Sequence, residues 1–148
     1  MNGDNLNPGS ALATPKEGTF NAFVTFPHPW PPGDETLASS LQFSDGCLRL
    51  FFESSGHLQA ELIDNARNIN RVVRSCKLVI LDIAKATIFV AWGEVGIDIY
   101  IGLKPQGVIK IASLLNSSDI PGEINIHTVT SQGYTKDFLP KTPNNTLK

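Results

Sequence analysis

Between Ala86 and Gly102 the chain reads ATIFVAWGEVGIDIYIG, and its apolar and polar positions predict two strands and a turn. Thr87 to Trp92 is almost wholly apolar and rich in β-branched and aromatic residues. Gly93-Glu94-Val95-Gly96 interrupts it, and Ile97 to Ile101 then alternates. That succession is a β-hairpin pattern. Placing Trp92 opposite Ile97 sets Val90 against Ile99 and Ile88 against Ile101, so that six apolar side chains share one face. A slip of one residue would scatter them, so the register is strongly specified. The other face carries Phe89 opposite Tyr100 and Ala91 opposite Asp98, a mixture suited to solvent or to a partner.

Leu37 to Asp64 predicts a three-stranded meander. A two-residue turn at Asp45-Gly46 sets Phe43 opposite Leu48 and Leu41 opposite Leu50. A three-residue turn, Ser54-Ser55-Gly56, with the glycine left-handed, sets Phe52 opposite Leu58, Leu50 opposite Ala60 and Leu48 opposite Leu62. Arg49, Gln59 and Glu61 fall on the opposite face. Upstream, Thr19 to Phe26 alternates with Phe20, Ala22, Val24 and Phe26 on one side. It ends in Pro27-His28-Pro29-Trp30-Pro31-Pro32, an extended loop that cannot donate to a ladder.

Asn65 to Lys77 is polar; Arg67, Arg71 and Arg74 would form a helical stripe, while Ile69 to Ser75 also reads as a strand. Its charges read first as a solvated edge, and secondly as an acid- or phosphate-binding patch. Strands are further predicted over 77–83, where both faces are apolar enough for an interior position, over 108–112 and over 123–130. The segments at 1–17 and 133–148 are read as a flexible arm and a tail around a single domain at 18–132. Eight to ten short strands with Gly, Pro and Asp turns and almost no helix predict an all-β fold, a two-sheet antiparallel β-sandwich of jelly-roll type.

Composition narrows the function. The chain has 148 residues, 41% hydrophobic and 18% charged, which is globular rather than disordered. A net charge of -2 argues against nucleic acid as a partner. No apolar run is long enough for a membrane-spanning helix. No leader is visible in MNGDNLNPGS, so the expected setting is cytoplasmic for a complete chain and extracellular for an excised module. Cys47 and Cys76 permit a disulfide by count, but the simpler reading is two buried thiols. Asn116-Ser117-Ser118 and Asn144-Asn145-Thr146 match the N-glycosylation pattern, which has meaning only in a secreted protein.

The stretches Phe89-Val90-Ala91-Trp92-Gly93 and Ile97-Asp98-Ile99-Tyr100-Ile101-Gly102 resemble the concanavalin A-like jelly rolls, specifically the laminin G-like group. The upstream meander and the opening strand with its proline loop are similar to that group in order and spacing, so the resemblance covers roughly Thr19 to Ala112. It implies a binding module for glycans or proteins, in some members with calcium, and in a minority a glycoside hydrolase.

Hydrolysis of a glycoside needs two carboxylates facing one groove, roughly 5–10 Å apart. Glu61 and Asp64 have the wrong parity, and a turn separates Glu94 from Asp98, so no catalytic residue is assigned. Asp34, Asp45, Glu94 and Asp119 are the loop acids a calcium would draw on, but loop acids are ordinarily turn formers and no metal site is assigned. His28, His57 and His127 lack ligand spacing. Aromatic residues are the better lead, because sugar faces stack on rings with polar groups alongside. The candidate ligand-binding residues are therefore Tyr100 and Phe89, with Asp98 and Arg49 as neighbours, and Trp30 in the proline loop. Phe89 and Tyr100 read alternatively as a second packed face, for instance under a terminal segment, and Trp30 as a plug for one end of the sandwich; Trp92 is core. The function expected is non-catalytic recognition of a carbohydrate or a protein surface. The alternatives are a structural protein that self-associates as a homo-oligomer through a sheet face or edge, and a small glycosidase.

Overall fold

The structure, a computed structural model, describes residues 12–81, 84–103 and 107–126. Among the described residues ten strands follow in order: β1 (Gly18–Thr25), β2 (Thr36–Gln42), β3 (Gly46–Phe52), β4 (Leu58–Asp64), β5 (Ile69–Arg74), β6 (Lys77–Ile80), β7 (Lys85–Trp92), β8 (Ile97–Leu103), β9 (Gly107–Ser113) and β10 (Glu123–Ile126). Two four-stranded antiparallel sheets, ordered β1-β7-β8-β9 and β2-β3-β4-β5, face each other as a β-sandwich.

The central hairpin has the register set by its hydrophobic pattern, with Trp92 opposite Ile97, Val90 opposite Ile99 and Phe89 opposite Tyr100. β3 and β4 likewise pair Leu48 with Leu62, Leu50 with Ala60 and Phe52 with Leu58. Gly56 takes the left-handed conformation expected of it, at φ 90°. The β2–β3 turn differs. Leu41, not Phe43, lies opposite Leu48, and the Phe43 N–H donates to the Gly46 carbonyl, so the turn is Ser44-Asp45. The shift is two residues, which conserves the faces and hides the error from a pattern-based reading.

The core forms where the inward faces meet. Leu48, Leu50, Leu58 and Leu62 pack among Ile88, Val90, Ile97 and Ile99, all 0–2% exposed. Between Ile99 and Tyr100 the β8–β9 register shifts, and this bulge lets both Ile111 and Ala112 enter the core. One end of the sandwich is filled by Phe26, Trp30 and Phe52, with ring centroids 5.4–5.7 Å apart. The Trp30 indole N–H donates to the Leu78 carbonyl at 2.8 Å.

β6 does not enter a large sheet. It pairs in parallel with β10 as a separate two-stranded ribbon, contrary to the interior position its apolar faces suggested. Its side chains are still partly buried, because Leu78 lies in the main core and Ile80 packs against it. Pattern reports burial and not strand neighbours. The expected tail at 133–148 and the end of the last predicted strand lie outside the described residues. Cys47 and Cys76 are free, half-buried thiols, and burial pushes Cys76 up to about 11.

Candidate functional site

At the end of the sandwich opposite Trp30, the two sheets leave a cleft of about 280 Å³. Leu62, Ile69 and Trp92 line it together with Lys16, Asp64, Arg67, Arg71, Glu94 and Val95. Three distant parts of the chain meet here: the segment before β1, the β4–β5 hairpin and the β7–β8 turn.

The first of these corrects the expectation of a loose arm, at least over residues 12–17. Ser44 N–H donates to the Leu12 carbonyl, and the Trp92 indole donates to the Pro15 carbonyl at 2.9 Å. Thr14, 2% exposed, gives both its N–H (3.0 Å) and its hydroxyl (2.8 Å) to one oxygen of Asp45. Arg67 donates to the Thr14 carbonyl at 2.8 Å. A polar segment is thus fixed by hydrogen bonds and not by apolar burial, which is why hydrophobic pattern alone misses it.

These bonds from Thr14, backbone first and hydroxyl second, hold the Asp45 carboxyl below its usual value. A carboxyl whose folded value is depressed contributes stability above its unfolded value, near pH 4, and loses it as pH falls through the folded value. Asp45→Asn is therefore expected to melt below the parent at pH 6 and to converge with it below pH 3, read by thermal denaturation across that range. A constant gap would show that the charge on Asp45 does not matter.

β5 places Arg71 at the cleft wall. Its guanidinium donates to the carbonyls of Gly93 (2.8 Å), Gly96 (3.0 Å) and Glu94, so it braces the β7–β8 turn. Burial lowers the Arg71 guanidinium from its usual value, and the Asp64 charge opposes that shift. Asp64, almost wholly buried, accepts from Arg67 at 2.6 Å. The lining combines an apolar floor, two braced arginines, a paired carboxylate and a rim of Lys16, Glu94 and Val95. Such a surface can seat a small amphipathic unit, burying its apolar face and meeting its polar groups with fixed donors and acceptors.

The residues singled out from the sequence lie elsewhere and apart. Phe89, Asp98 and Tyr100 share the outer face of the β1-β7-β8-β9 sheet, and each is 0–1% exposed. Phe89, Ala91 and Tyr100 form a second apolar cluster with Val108 against it. The Tyr100 hydroxyl donates to Asp98 at 3.3 Å, and Lys110 reaches the same carboxylate oxygen at 3.8 Å. The face expected to meet solvent or a partner is thus buried within the chain. Arg49 is on the outer face of the other sheet, bound to Glu61 at 2.9 Å and lying 5.6 Å from the Phe51 ring centre, so it is no neighbour of Tyr100. Trp30 fills the far end of the sandwich.

Glu61 points outward and Asp64 inward, as the parity of β4 requires. Among the described residues, no three His, Cys, Asp or Glu side chains come together as a metal would need. No described helix is long and apolar enough to cross a membrane. The cleft residues that sequence reasoning passed over are Thr14 and Lys16; Trp92 was expected in the core and is there, 2% exposed; for Arg67 and Arg71, the spaced arginines were the signal. Comparison with known proteins returns no matching family model, no matching curated protein and no matching solved structure.

Proposed function

We propose that this chain is a non-catalytic recognition module, related to the laminin G-like sandwiches, that receives one small unit of its ligand in the cleft beside Trp92. The carrying observation is the cleft itself: about 280 Å³ open to solvent, an apolar floor, and polar walls whose side chains are already held in place. That volume suits a single sugar residue of a glycan, or one side chain projecting from a protein surface, and is small for a larger ligand. Fixed polar groups lose little freedom on binding, which favours recognition by orientation.

The test is a broad glycan array, run with and without calcium, on the parent and on Lys16→Ala/Glu94→Ala. Both residues are exposed at the rim, so the double variant should retain its melting temperature. A glycan bound by the parent and at least tenfold more weakly by the variant is the expected result. Binding that the variant leaves untouched would move the site away from the cleft. Silence in both conditions would remove the glycan reading and turn attention to self-association, read from the mass in solution.

A further inference from the structure

The loop from Leu114 to Gly122, between β9 and β10, carries the sequence Asn116-Ser117-Ser118, and all three residues are exposed. The Ser118 hydroxyl donates to Asn116 Oδ1 at 2.7 Å, and the Ser118 N–H approaches the same oxygen at 3.4 Å. Asn116 is itself anchored, its N–H donating to Ser113 Oγ at 3.0 Å. The side chain is folded into an Asx turn in which the hydroxyl two residues on meets the carboxamide oxygen. Its nitrogen donates to no described residue. No ladder runs through this loop, so a bulky group on Asn116 disturbs no strand pairing.

We propose that Asn116 is an acceptor for an N-linked glycan when the chain is delivered to a compartment that holds an oligosaccharyl-transferring enzyme. The donor is a lipid-pyrophosphate-linked oligosaccharide. Asn116 Nδ2 attacks the anomeric carbon and forms the new C–N bond. The C–O bond to the pyrophosphate breaks, the lipid pyrophosphate leaves with the electron pair, and Nδ2 gives up one proton to a base of the enzyme. The glycan would stand over Leu114 and Leu115, which are 43% and 54% exposed and otherwise meet water. The chemistry needs the acceptor pattern and exposure in one place, and this loop supplies both.

The test is the full chain behind a cleavable leader in a eukaryotic secretory host, with intact mass and peptide mapping before and after an amidase that releases N-glycans. The expected result is one glycan-sized mass increment mapped to Asn116, lost in Asn116→Gln and in Ser118→Ala and retained in Ser118→Thr. Folding of each secreted form is checked by its melting curve, and Ser118→Ala stands in should Asn116→Gln fail to be secreted. A folded, secreted parent with bare Asn116 overturns the inference. So does a glycan at Asn116 that survives Ser118→Ala, or modification confined to Asn144.

Discussion

Tyr100→Ala is expected to destabilise the fold by about 3–5 kcal/mol, the range for removing a large buried aromatic side chain. Tyr100 is 1% exposed and packs with Phe89 and Ala91 on the outer face of its sheet. The deletion leaves a cavity on that side and removes the hydroxyl that donates to Asp98. Urea denaturation measures it; a loss below about 1 kcal/mol would mean that this face behaves as surface. Tyr100→Phe separates the two contributions, since it keeps the ring and costs about 1 kcal/mol for the hydrogen bond. It also tests the ionisation. Burial, then the Asp98 charge, pushes the phenol above its usual value. The folded state thus favours the neutral phenol, so its contribution is complete below about pH 10 and declines as pH rises beyond that. The parent should weaken in alkali more steeply than Tyr100→Phe. Tyr100→Ala is accordingly a poor probe of ligand binding, because lost binding would follow from lost structure.

The second large effect is expected at Gly46. A Cβ built there would lie 1.9 Å from the Ile63 carbonyl oxygen and 3.0 Å from Thr14 Oγ1. The nearer atom is backbone in β4, across from β3, and cannot withdraw without opening the ladder. Gly46→Ala should cost on the order of 3 kcal/mol, the upper end of overpacking. Gly33→Ala is the control: nothing lies within 4 Å of its Cβ position, and a change within about 0.5 kcal/mol is expected. Equal melting temperatures for the two variants would refute the steric account. This glycine is needed for closeness of approach and not for a left-handed turn, since only Gly56 and Gly107 among the described glycines have positive φ.

The sandwich was legible because local turn chemistry and hydrophobic alternation agreed over β3-β4 and β7-β8. In both hairpins a slip of one residue would have driven apolar residues to the outer face. Phe89 and Tyr100 show where that logic runs out. Alternation told which residues share a face, but a second buried face and a ligand-binding face have the same composition. The near-continuous apolar run of β7 was the available sign of burial on both sides. The cleft was legible only in part. Arg67 and Arg71 stood out by spacing, yet their partners are the carbonyls of Thr14, Gly93, Glu94 and Gly96, and a main-chain acceptor leaves no mark in a sequence. The β6–β10 pairing was invisible for a related reason: a parallel contact between remote segments leaves no turn to read.

The joining of β1 to β7, where Val24 meets Ala86, bears on the order in which the molecule folds. The β2–β5 meander and the β7–β8 hairpin close over short turns and lose little chain entropy in doing so. β1 must wait for β7 to be made, and it gains its pairing only after a long loop has closed. Folding on the millisecond-to-second scale of other β-sandwiches follows, with the two local units early and the first strand late. The segment 12–17 docks on turns that both units supply, so it comes last of all. The cleft beside Trp92 therefore has no counterpart in a half-folded chain, and anything that binds there binds the finished molecule alone.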